Sequence, residues 1–134
     1  MPIVTWTEAY SVKIKSIDDQ HKKLFELINK LHEAMSAGKA RQVLSEIFTE
    51  LTEYTVKHFA YEEGLMAKYG YPGYLAHKPQ HEKLTAQVQD LQRRHQQGEM
   101  ALSLEVSNFL KDWLTEHILK TDQKYSAFLK DKVA

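Results

Sequence analysis

The chain has 134 residues, 43% of them apolar, and its 18 basic and 18 acidic side chains cancel. That length suits one packed core, and the balanced charge gives no field that would gather nucleic acid or an acidic membrane. The absence of cysteine excludes disulfides, thiolate metal sites and cysteine-held iron–sulfur clusters. No apolar run is long enough to span a bilayer, and residues 1–10 lack the pattern of a secretory leader, so a cytoplasmic location is expected.

Residues 1–17 read as an irregular arm anchored by Trp6, Tyr10, Val12, Ile14 and Ile17. Asp18 and Asp19 are good N-caps for a helix over 18–37. It carries His21, Leu24, Phe25, Ile28, Leu31 and Met35 on one stripe and stops at Gly38. A second helix over 41–68 has Leu44, Ile47, Leu51, Tyr54, His58, Glu62 and Leu65 on its inner face, and residues 69–73 form a turn. A third, over 75–96, shows His77, His81, Leu84, Val88 and Leu91, with Pro79 tolerated in its first turn. The fourth, over 100–120, shows Leu102, Val106, Phe109, Trp113 and His117, before a helical tail through Tyr125, Phe128 and Leu129. Four amphipathic helices joined by short loops predict an all-α, up-down-up-down four-helix bundle, a single domain over 1–134.

Four clusters of potential metal ligands lie on these helices: His21, His58 with Glu62, His77 with His81, and His117 with Asp122. Histidine and carboxylate bind first-row metals, and residues four apart share a helix face. Seven ligands are too many for one tetrahedral zinc and suit two octahedral ions that share their carboxylates. In an antiparallel bundle the starts of helices one and three share an end with the finishes of two and four. All four clusters then meet at one level. The step from His117 to Asp122 is five residues, which a regular helix separates by about 140°. A π-type turn or a break between Ile118 and Lys124 is therefore expected.

These residues, with Trp6, Tyr10, Val12 and the string from Ile17 through Asp18, Asp19, Gln20, His21, Lys22 and Lys23 to Leu24, resemble the hemerythrin family in its stand-alone bacterial form. The likeness covers nearly the whole chain and fills every ligand position. It implies a non-haem di-iron centre that binds dioxygen reversibly. It also implies that His77, His81 and His117 hold one iron and His21 and His58 the other. Glu62 and Asp122 would bridge both irons beside an oxo or hydroxo group. Counting donors gives six on the first iron and five on the second, leaving one position for dioxygen. Leu24, Phe59, Trp113, Leu114 and Ile118 match the family's apolar pocket positions, and a dry wall there would keep water and protons out.

The expected function is oxygen carriage, buffering or delivery, with an oxygen-consuming enzyme as recipient and no catalytic residues. The alternatives are a di-iron oxidase or peroxidase and an oxygen or iron sensor. Carboxylate-rich oxidases use paired Glu-x-x-His motifs, which are absent here. Iron storage and zinc hydrolysis are weaker readings, the latter because no His-Glu-x-x-His motif occurs. His32 and His95 belong at the opposite end of the bundle, His32 being about 16 Å along the helix from His21. Tyr54, Tyr61 and Tyr125 read as packing residues, with hydrogen bonding behind the ligands as the alternative.

Overall fold

The structure is a computed structural model that describes residues 3–98 and 104–132. An arm with a 3-10 turn at Glu8–Tyr10 leads into α1 (Lys15–Ser36), α2 (Arg41–Lys68), α3 (Tyr74–Gln96) and α4 (Leu104–Glu116). A π-helical segment, His117–Asp122, then joins α4 to the short α5 (Gln123–Leu129). Helix α1 packs on α2 and α4, and α2 packs on α3, so the four helices form the expected bundle.

Helix α1 begins at Lys15, earlier than its two aspartates suggest. Asp18 is no N-cap because the arm uses its carboxylate. Oδ2 accepts from Ser11 Oγ at 2.6 Å, and Oδ1 accepts from the Val12 N–H at 2.8 Å. Starting at Lys15 places Ile17, His21, Leu24 and Ile28 on one buried stripe. Lys13 takes a left-handed φ of 61° where the arm turns into the helix, and its N–H donates to Ser11 Oγ. Asn29 fastens the start of the arm, its Oδ1 accepting from the Ile3 and Val4 N–H groups and its Nδ2 donating to the Val4 carbonyl.

Gly38 ends α1 in the way its sequence position predicts. Its φ of 67° lets its own N–H reach the Met35 carbonyl and the Lys39 N–H reach the Ala34 carbonyl. Pro79 lies in the second turn of α3, not the first. It has no N–H to give to the Leu75 carbonyl, and the 81% exposure of Leu75 leaves water to serve it. Phe109, placed on the inner stripe by its spacing, is instead exposed, and Leu110 takes the core position. Leu102 lies outside the described residues.

Two apolar clusters bracket one end of the bundle. The larger runs along the axis through Leu31, Phe48, Leu51, Leu84, Leu110 and Leu114. The smaller joins Val12, Ile14 and Ile17 to Met66, Tyr125 and Leu129. Each large apolar side chain buried here contributes about 1.5–3 kcal/mol. That surplus offsets the cost of the polar groups buried with them.

Candidate metal centre

The seven expected ligand residues converge at that end, and none is more than 5% exposed. They form two groups, His77 with His81, His117 and Asp122, and His21 with His58 and Glu62. Helical turns bring together the four-residue pairs, while His117 and Asp122 depend on the π segment. The wider turn returns the five-residue step to one face, and His117 Nε2 lies 3.1 Å from Asp122 Oδ1.

The Nε2 atoms of His77, His81 and His117 are 3.0 Å apart in all three pairs. An imidazole nitrogen sits about 2.0–2.1 Å from a first-row ion, so two at right angles are about 3.0 Å apart and two at the tetrahedral angle about 3.4 Å. The triangle therefore fits one face of an octahedron. Asp122 Oδ1 adds a neighbour, 3.1 Å from His77 Nε2 as well. Its other oxygen, Oδ2, faces His21 Nε2 at 3.3 Å. One carboxylate thus addresses both groups. Glu62 Oε1 similarly lies 3.1 Å from His58 Nε2 and 3.5 Å from His81 Nε2, while Oε2 is 3.5 Å from His21 Nε2.

Hydrogen bonds do not satisfy these atoms. Both ring nitrogens of His21, Nε2 of His58, Oε1 of Glu62 and both oxygens of Asp122 are buried without such a partner. His58 Nδ1 lies 2.7 Å from Gln20 Oε1, an acceptor, and so carries the proton. The bare Nε2 lone pair then faces Glu62. Likewise His81 Nδ1 donates to Glu63 Oε2 at 3.0 Å, which turns its unprotonated Nε2 into the triangle. Acceptors facing acceptors in a buried space call for cations between them. The donor set fits metal ions.

The electrostatics agree. Burial, aided by the charges of His117 and His77 and opposed by Glu62, pulls His81 down to about 3. Burial also opposes charge on His21, but Asp122 and Glu62 outweigh it and raise this ring to about 9. Burial disfavours ionised Asp122, yet the imidazoles of His117, His21 and His77 facing its oxygens hold it well below the usual carboxylate range. Burial and Asp122 press Glu62 upward, and the imidazoles of His58 and His21 reverse that.

Sequence reasoning assigns Gln20 and Glu63 no role of their own, because nothing local shows that each stands behind a ligand on another helix. Tyr125 is more than packing: its hydroxyl donates a short hydrogen bond to Glu62 Oε2. Tyr61 bonds Ser16 at 2.7 Å on the exposed face, and Tyr54 packs against the core. Of the expected pocket residues, Leu24, Phe59 and Leu114 line an apolar cavity of about 20 Å³ with Ile28, Leu51, Thr55, Leu84, Val88 and Leu110. Trp113 and Ile118 do not line it. Trp113 stacks on His117 at 4.4 Å between centroids, and Ile118 is fully buried in the larger cluster. Phe59 also stacks on His81, at 3.8 Å. His32 and His95 stay apart from both groups, with His32 Nδ1 beside Ser107 Oγ at 3.2 Å.

A four-helix bundle holding two buried histidine–carboxylate groups able to bind metal defines a class of cation-binding bundle proteins. The chain matches the family model described as the hemerythrin HHE cation binding domain over residues 12–129. It belongs to the hemerythrin family. A bacteriohemerythrin of Methylococcus capsulatus is 37% identical over 130 residues, covering 96% of this chain and 98% of that protein. One of Pseudomonas aeruginosa is 38% identical over 125 residues, covering 93% of this chain and 80% of that one. A crystal structure of wild-type hemerythrin superposes with a TM-score of 0.92 at 37% identity, covering 96% of this chain and 98% of that one. No helix among the described residues is long and apolar enough to cross a membrane.

Proposed function

We propose that this chain binds dioxygen reversibly at a di-iron centre held by His21, His58, Glu62, His77, His81, His117 and Asp122, as an oxygen carrier, buffer or delivery protein and not as an enzyme. The observation that carries this reading is the unequal division of imidazoles about shared carboxylates. Three surround one position and two the other, with Asp122 and Glu62 reaching both. The position served by His21 and His58 is one donor short. Two ferrous ions held there would supply the electrons that dioxygen needs.

The chain's own residues do the rest. Leu24, Phe59 and Leu114 line an apolar cavity, and Phe59 also stacks on His81; such a wall excludes the water and protons that would make binding irreversible. Burial and the charges of Asp122 and Glu62 push the Tyr125 hydroxyl well above its ordinary value. It therefore keeps its proton and offers Glu62 a hydrogen bond only. Five neutral imidazoles build up less negative charge than the carboxylate-rich sites of oxidases, which favours reversible binding over oxygen activation.

The test is to load the apoprotein anaerobically with ferrous iron, admit oxygen and then remove it. Return of the starting spectrum is expected. Continued oxygen consumption or release of peroxide would favour an oxidase and overturn the proposal.

A further inference from the structure

The acceptors behind the two metal groups differ in charge. His58 is held through Nδ1 by the neutral amide oxygen of Gln20 at 2.7 Å, and His81 by the carboxylate of Glu63 at 3.0 Å. Both contacts fix the ring with Nδ1 protonated and Nε2 aimed inward. Only Glu63 adds a negative charge behind its ring. An anionic acceptor on the far nitrogen draws the imidazole proton toward itself and makes the near nitrogen a stronger donor. The side chain of Glu63 is 19% exposed, beside a groove lined by Val56, Ala60, Glu82 and Thr85. Burial raises the Glu63 carboxyl above its usual value, and the charge of Lys78 opposes that.

We infer that Glu63 and Gln20 are positioning residues that make the two metal positions unequal, Glu63 acting through His81 to tighten the three-histidine position and Gln20 acting through His58 to orient its ring without added charge. This rests on the two-metal reading above. The difference complements the ligand count, because the fully served position gains the extra donor strength. The position that is one donor short keeps the weaker field and the greater appetite for an outside ligand.

Substitutions separate charge from orientation. Glu63→Gln keeps an acceptor for His81 Nδ1 and removes the charge, whereas Glu63→Ala removes both. Cobalt(II) titrated into the anaerobic apoprotein against a chelator, followed by visible absorption, reads the two binding steps without any oxygen chemistry. Wild type should bind two ions per chain. Glu63→Gln should weaken one step by about 10–100-fold, nearly as much as Glu63→Ala, and leave the other unchanged. Gln20→Glu should strengthen the step that Glu63→Gln spares. If Glu63→Gln matches wild type while Glu63→Ala weakens binding, orientation alone matters and the inference fails. If neither variant changes either step, it fails as well. A wild-type protein that binds fewer than two ions would instead remove the two-metal reading, and this inference with it.

Discussion

Tyr125 and Glu62 are 63 residues apart in sequence and joined by a buried hydrogen bond, with the phenol on α5 donating to Oε2 of a carboxylate on α2. The same carboxylate offers Oε1 to His58 and His81. The tail helix therefore restrains a carboxylate that faces imidazoles of both groups. Gln123 and Ser126 in turn hydrogen-bond the carbonyls of Ser11 and Val12 at 3.1 and 2.6 Å, tying the arm to this tail.

Tyr125→Phe removes the donor and keeps the ring, which lies 5.6 Å from His77 and 6.4 Å from Tyr71. The apoprotein should lose about 1–3 kcal/mol of stability in urea denaturation with unchanged helicity, because a buried charged acceptor loses its partner. A midpoint equal to wild type would show that Glu62 does not depend on the phenol.

Asp122→Ala removes Oδ1 from the His77 and His117 side and Oδ2 from the His21 side. Metal retained after dialysis should fall from two ions per chain to one or none, measured by elemental analysis. Retention of two would mean that Asp122 is not shared.

The pH dependence of stability should reverse on metal loading. The folded apoprotein raises His21 from 6.5 to about 9. The stabilisation from that proton is complete below about pH 6.5 and is lost as pH rises through about 9, on the order of 3 kcal/mol in all. His81, lowered to about 3, contributes in the opposite sense, its stabilisation being present above about 6.5 and lost as pH falls toward 3. Thermal melting of the apoprotein should therefore decline from pH 6.5 to 9. The loaded protein, whose imidazoles are already unprotonated, should hold its melting temperature there and lose metal as pH falls below about 6.5. Parallel curves for the two forms would count against His21 as a ligand.

Leu114→Thr places a hydroxyl in the apolar cavity and removes one heavy atom from its wall. A polar wall admits water, so the oxygenated iron-loaded protein should autoxidise several-fold faster, followed by decay of its visible absorption. An unchanged lifetime would remove Leu114 from the proposed pocket wall. Stability should fall by about 1–3 kcal/mol, because Leu114 is buried and the hydroxyl has no assured partner.

Much of the site was legible because helical spacing and antiparallel order are properties of the chain itself. Four-residue pairs fix a face, and the alternation of cluster positions at starts and finishes fixes a level. Even the π segment was foreshadowed, since five residues cannot share a regular helical face. Contacts between helices were not legible. Gln20 reaches His58 on α2 and Glu63 reaches His81 on α3, and nothing in their local sequence distinguishes them from solvated polar neighbours. Trp113 matches a pocket position of the family, but its ring stacks flat on His117 instead. Asp18 read as a cap because local propensity favours one, and the arm claimed its oxygens first.

The sequence by itself determined the all-α bundle, the seven histidines and carboxylates and the need for a wider turn before Asp122. Periodicity and residue chemistry are local and survive without knowing any neighbour. Only the tertiary structure decided how the seven divide, which carboxylate oxygen faces which imidazole, and which group stands behind each ring. Those depend on how helices rotate against one another, and packing of the whole core sets that rotation.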